Sequence, residues 1–151
     1  MSEESKAIAL VTGGNRGIGL AIAQSLQADG HHVVVTYRSG SAPAGFNAVQ
    51  MDVTSSESVD AAFAEIESQW GFPEIIVANA GITKDGLVMR MSDEDFESVI
   101  NANLTGAFRV ARRATKGLLK LKRGRLIFIG SVVGGVGAAG QVNYSASKSG
   151  L

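Results

Sequence analysis

The chain has 151 residues, 45% of them apolar, with 14 basic side chains balanced by 14 acidic ones. That is enough material for one domain with a real core, and the charge balance gives no electrostatic reason to expect nucleic acid or an anionic membrane as partner. With no cysteine, disulfides and thiolate chemistry are excluded; with no apolar run near the ~20 residues of a membrane helix, a membrane span is not expected.

The amino terminus, MSEESK, is polar and unlike a secretory signal, so the expectation is a cytoplasmic protein. Ala7 to Thr12 then reads as a buried strand that runs into Gly13-Gly14-Asn15-Arg16-Gly17-Ile18-Gly19. Leu20 to Leu26 follows as a helical pattern ending near Asp29-Gly30. Strand, glycine loop and helix in that order form the context of a phosphate-binding loop. Glycines let the backbone come close to a pyrophosphate, and the free amides and dipole of the helix start favour its charge. A bare structural turn also uses glycine; the place in the first βα unit favours the nucleotide.

The second strand is His32 to Tyr37. A site for NAD would end it with an acid for the ribose 2′-hydroxyl, whereas this chain has Arg38-Ser39, with Arg16 in the glycine loop. Two guanidinium groups suit a 2′-phosphate, so NADPH is the expected cofactor; the alternative is that both arginines are merely solvated. His31 and His32 have no partner pattern and read as surface residues. Ser39 to Asn47 is a loop, Ala48 to Met51 a short third strand, and Asp52-Val53 stand at its carboxyl end.

Thr54 and Glu57 form a capping-box pattern, followed by Val59, Ala62, Phe63, Ile66 and Trp70 at helical spacing, with Gly71 as stop. Glu74 to Ala78 gives a fourth strand closed by Asn79-Ala80-Gly81. Ser92 opens a long helix with Phe96, Val99, Ile100, Leu104, Ala107, Phe108 and Ala111 expected on its apolar side. Asn101, Asn103 and Gly106 weaken it and predict a local kink. Arg109, Arg112, Arg113, Lys116, Lys120, Lys122 and Arg123 read as a solvated face.

Leu126 to Ile129 has the composition of a strand buried on both faces of a parallel sheet. Ser131 then stands at its carboxyl end, where open α/β sheets place ligands. Beyond a glycine-rich loop, Tyr144 and Lys148 are four residues apart and so share a helix face. An unperturbed phenol has a pKa of about 10, and a cation beside it favours the phenolate. Proton donor, tuner and a hydroxyl clamp for a carbonyl oxygen together suit reduction of a ketone or oxidation of an alcohol.

Thr12-Gly13-(three residues)-Gly17-Ile18-Gly19, Asp52-Val53, Asn79-Ala80-Gly81, Asn103, Ser131 and Tyr144-(three residues)-Lys148, in that order and spacing, resemble the short-chain dehydrogenase/reductase family. The likeness runs from Ala7 to Leu151. Ile100 to Phe108, Gly124 to Val132 and Gly140 to Tyr144 look most like the 3-oxoacyl-[acyl-carrier-protein] reductases of fatty-acid synthesis. The short linker after Arg38 and the Gly13 to Gly17 phrase are similar to the actinobacterial form serving mycolic-acid precursor elongation.

The resemblance implies a Rossmann-type, doubly wound α/β fold with a parallel sheet. It makes Tyr144 the general acid, Ser131 the carbonyl orienter, Lys148 both tuner and ribose contact, and Asn103 the kink that holds a proton-relay water. Gly13, Asn15, Arg16, Gly17, Ile18, Gly19 and Arg38 would hold the cofactor, Asp52 and Val53 would meet its adenine, and Asn79, Ala80 and Gly81 would line it. Ala78 departs from the second asparagine of many relatives, with little consequence expected. Family members continue with further strands and a substrate loop, so the resemblance also implies a piece incomplete at its carboxyl end, from a homo-oligomeric parent that acts on an acyl-carrier-protein-bound substrate. A reductase of another carbonyl, or a piece that binds nucleotide without turnover, are the alternatives.

Overall fold

The computed structural model describes residues 6–151; the amino-terminal reading above falls mainly on residues 1–5, outside them. Five strands, β1 (Ile8–Val11), β2 (His32–Tyr37), β3 (Asn47–Gln50), β4 (Ile75–Ala78) and β5 (Arg125–Phe128), form one parallel sheet in the order β3-β2-β1-β4-β5. The order reverses between β1 and β4, and the carboxyl ends of these central strands open a crevice, the usual ligand position in such sheets. The expected Rossmann-type α/β architecture is therefore present.

Alternation along the strands divides the core. Leu10, Val34 and Ile76 face one layer, where they pack with Phe63 and Ile66 of α2 (Ser56–Gln69) and with Val110 and Ala114 of α4 (Gly106–Leu121). Ala9, Val11, Val33, Val35 and Val77 face the other, against Ala23 of α1 (Gly17–Ala28). Each fully buried side chain of the size of Phe63 or Ile66 stabilises the fold by about 1.5–3 kcal/mol relative to its exposed state.

The long helix begins at Asp93 with Ser92 as its cap, the Ser92 hydroxyl accepting from the Asp95 N–H at 3.0 Å. It comprises α3 (Asp93–Ile100), a wide π-helical turn over Asn101–Thr105, and α4. The predicted kink is this turn, a form that often accompanies functional sites. The expected apolar face is corrected: Phe96 and Phe108 are exposed, and the Arg112 guanidinium lies over the Phe108 ring at 5.1 Å. The inward residues of α4 are instead Gly106, Ala107, Val110, Ala114 and Gly117. The close approach demands small residues, since a Cβ on Gly106 would meet Val53 at 2.8 Å and one on Gly117 would meet Phe72 at 2.7 Å.

Four further readings are corrected. The cap of α2 is Ser55, whose hydroxyl accepts from the Ser58 N–H at 3.2 Å, while the Thr54 hydroxyl is turned to Asp52. His31 and His32 are half-buried; the His32 ring lies 5.9 Å from that of Trp70 and its Nε2 is 3.1 Å from Asn47 Nδ2. Arg109 and Arg113 are not solvated: Arg113 grips Glu67 through two bonds of 2.6 and 2.8 Å, and Arg109 bonds the Val53 carbonyl and Asn101. The β5 run is not covered on both faces. It is the outermost of the five described strands, with Leu126, Ile127 and Phe128 38%, 42% and 39% exposed.

Two short helices follow β5, α5 (Val133–Val136) and α6 (Val142–Gly150), packed on each other and, through α6, on α3.

Candidate active site

At the head of β1, Gly13 and Gly17 take left-handed φ values of +64° and +55°, which glycine adopts without a Cβ penalty. The chain thereby folds over the start of α1. Gly14 donates to the Thr36 carbonyl at 3.0 Å, and a Cβ there would meet Val35 at 2.7 Å. A Cβ on Gly19 would collide with the Gly13 carbonyl and the Asn79 amide. Gly14 and Gly19 thus let the loop pack this closely on Val35, Asn79 and its own backbone.

Opposite, Thr12 and Asn79 lock the loop to the end of β4. The Thr12 hydroxyl accepts from the N–H groups of Asn79 and Ala80, both at 3.0 Å, and the Asn79 amide donates to the carbonyls of Thr12 and Gly13 at 2.9 and 3.2 Å. Between these parts lies a cleft of about 620 Å³. Gly13, Asn15, Arg16, Gly17, Ile18, Gly19, Arg38, Asp52, Val53, Asn79, Ala80 and Gly81 all line it, as do Ser39, Met51, Thr54 and Ile82, which sequence reasoning did not select.

Asp52 is fixed at the cleft wall. Burial pushes its carboxyl up, but the Thr54 N–H and hydroxyl, at 2.9 and 2.7 Å, and the Arg38 and Arg109 charges outweigh this and hold it below the usual carboxylate range. Two exposed guanidinium groups, Arg16 and Arg38, flank the same cleft. A glycine loop at a helix start, a polar wall and two cations suit a dinucleotide, whose pyrophosphate is anionic.

Ser131, Tyr144 and Lys148 are not among the residues that line that cleft; Ser131 follows the end of β5, and Tyr144 and Lys148 stand on α6. The Lys148 ammonium stands over the Tyr144 ring, 5.6 Å from its centroid, and donates to the Ile129 carbonyl at 2.7 Å. Burial pushes this ammonium below the ordinary lysine range. Ser131 is half-buried, its hydroxyl facing the Val133 N–H at 3.4 Å. The segment after it presses on α6, where a Cβ on Gly134 would meet the Lys148 backbone at 2.9 Å.

Asn103 is buried inside the π-helical turn. Its amide clasps Ile82, accepting from the Ile82 N–H at 2.8 Å and donating to the Ile82 carbonyl at 3.0 Å, and it donates to the Ser147 hydroxyl at 3.1 Å. Sequence reasoning missed Asn143 and Ser147, both fully buried in α6. Their signal was present: they repeat the spacing of Tyr144 and Lys148 one position earlier, as polar residues on the helix's inner side.

The sequence profile of the short chain dehydrogenase family matches residues 7–151. The chain is 58% identical over 142 residues to the 3-oxoacyl-[acyl-carrier-protein] reductase MabA of Mycobacterium tuberculosis, covering 94% of this chain and 58% of that protein. It is 56% identical over 142 residues to MabA of Mycobacterium avium. Against the 3-oxoacyl-[acyl-carrier-protein] reductase FabG of Escherichia coli it is 42% identical, covering the whole chain and 65% of that protein. The chain thus spans about 56 to 65% of the length of these relatives.

Proposed function

Because the chain belongs to the short chain dehydrogenase family, which implies a nicotinamide cofactor, we propose that it carries the cofactor site and the acid of an NADPH-dependent reductase. Its substrate would be a 3-oxoacyl group on acyl carrier protein, as the names of MabA and FabG describe for those proteins. The observation that supports this reading is the Lys148 ammonium over the Tyr144 ring, on a helix that Asn103 ties to Ile82 of the cleft wall.

The glycine loop and the amides at the start of α1 hold the pyrophosphate, Arg16 and Arg38 take a 2′-phosphate, and Asp52, Val53 and Asn79 to Gly81 line the remainder. When bound, a reduced nicotinamide supplies the hydride for carbon 3 of the substrate. The Ser131 hydroxyl orients the substrate carbonyl and the Tyr144 hydroxyl gives its proton to the oxygen. Lys148 supplies a positive charge that stabilises the negative charge left on Tyr144, and the Ile129 carbonyl steadies that ammonium. Asn103 holds the helix turn beside the proton path.

Turnover of an acetoacetyl thioester with NADPH tests this. Tyr144→Phe is expected to lose roughly 10²–10⁴ in rate, the usual worth of a positioned acid; near-normal turnover would refute the role. Arg38→Ala is expected to weaken NADPH while leaving NADH unchanged, and tighter binding of NADH by the unaltered chain would refute the cofactor choice. A second reading, dinucleotide binding without turnover, is favoured by one observation: the cleft is complete without Ser131, Tyr144 or Lys148 in its wall. Quenching of NADPH fluorescence with no consumption of it would select that reading.

A further inference from the structure

Asn143 and Ser147 flank the peptide of Tyr144 from its two ends. The Asn143 side-chain oxygen accepts from the Tyr144 N–H at 2.8 Å, and the Ser147 hydroxyl donates to the Tyr144 carbonyl at 2.8 Å. Both side chains are fully buried, where a polar group costs free energy unless it is bonded. The first amides of a helix have no partner within it, so the Asn143 bond also satisfies a donor that α6 leaves open.

Each clamp is anchored elsewhere, and both anchors lead to one segment. The Asn143 amide donates to the carbonyls of Lys84 and Asp95 at 2.8 and 3.3 Å. The Ser147 hydroxyl accepts from Asn103, which in turn clasps both polar backbone groups of Ile82. Residues 82 to 84 leave the end of β4, and Ile82 belongs to the wall of the dinucleotide cleft. One line of hydrogen bonds therefore runs from the cleft wall at Ile82 through Asn103 and Ser147 to the backbone that carries the phenol, and a second ties that backbone through Asn143 to Lys84, two residues along the same segment.

We propose that Asn143 and Ser147 are positioning residues, which hold the Tyr144 backbone in register with the Ile82–Lys84 segment and so aim the phenol at the bound cofactor. This rests on the reading of Tyr144 as proton donor. Misplacement of a reacting group by ~1 Å costs on the order of 10²-fold in rate. Asn143→Ala and Ser147→Ala are accordingly expected to lower kcat by roughly 10 to 10²-fold. KM and the NADPH dissociation constant should stay near their original values, because neither side chain lines the cleft. Ser147→Thr, which keeps the hydroxyl, should recover most of the rate, and Asn143→Ala added to Tyr144→Phe should cost nothing more.

A measurement independent of turnover uses tyrosine labelled with ¹³C in the ring. The chain has two tyrosines, Tyr37 and Tyr144, so Tyr144→Phe identifies the resonance. In the unaltered chain the Tyr144 signal should shift on saturation with NADPH; in the two alanine variants that response should collapse while fluorescence reports intact NADPH binding. Folded alanine variants with unchanged kcat and an unchanged Tyr144 response would overturn the proposal. Loss of folding in both would overturn it too, since the pair would then be purely structural. Full activity in Tyr144→Phe would instead overturn the functional reading, leaving the resonance to report on the clamp alone.

Discussion

At Asp52 one carboxylate receives the Thr54 N–H and hydroxyl and feels two guanidinium charges, which together overcome the effect of burial and depress its pKa. A carboxyl whose folded value lies below its unfolded one contributes stability above the unfolded pKa and loses it as pH falls through the folded one, because the unfolded chain binds the proton first. The acid limb of the stability curve, followed by thermal unfolding below about pH 4, should therefore flatten in Asp52→Asn. An unchanged limb would show that the carboxylate is not linked to folding. Asp52 was legible in the sequence because it follows an apolar strand, and strand ends set the crevice. The same logic found Gly13 to Gly19, Arg38 and Asn79 to Gly81. It failed for Thr54, His32, Asn143 and Ser147, because a polar side chain's partner is chosen by elements that only the folded chain brings near: His32 meets Trp70, 38 positions away in the sequence, and Asn143 meets Lys84.

Among the elements, the packing of α4 on α2 and the loops flanking it is the one whose chemistry the sequence disguised. Weighting residues by apolar size put Phe108 inward, whereas the contact selects glycine and alanine so that the helix can approach Val53 and Phe72. The basic residues were likewise read as one class. Arg113 is set apart by packing: its side chain is 16% exposed, that of Glu67 19%, and its guanidinium also lies over the Phe63 ring at 5.1 Å. Its bond to Glu67 raises its already high pKa, against the effect of burial. Arg113→Ala leaves Glu67 half-buried without its partner and should cost about 2 kcal/mol, the scale of hydrogen bonds to charged groups. In a chain of this size that is a fall of about 4–8 °C in Tm by calorimetry. Arg113→Met combined with Glu67→Leu should recover most of the loss, since replacing both members of such a pair by apolar residues is often neutral. No recovery would mean that the ion pair contributes more than its desolvation costs.

Across the whole molecule, the doubly wound order and its crevice follow from five apolar runs and the helices between them, and these were legible. The exposure of β5 was legible too, though not from its apolar composition: it follows from the family resemblance, whose further strands cover this one in relatives, whereas Leu126, Ile127 and Phe128 are part-exposed here. The π-helical turn has a bearing on the same scale. Each residue of a helix carries about 100° of rotation, so the wide turn at Asn101–Thr105 works as a dial set between two halves of one rod. Removing a single residue there to restore a regular spiral would swing α4 by roughly a quarter turn relative to α3. Either Gly106, Gly117 and Arg113 would leave Val53, Phe72 and Glu67, or α3 would lose its seat on α6, and the molecule could not keep both the nucleotide side and the tyrosine side in place at once.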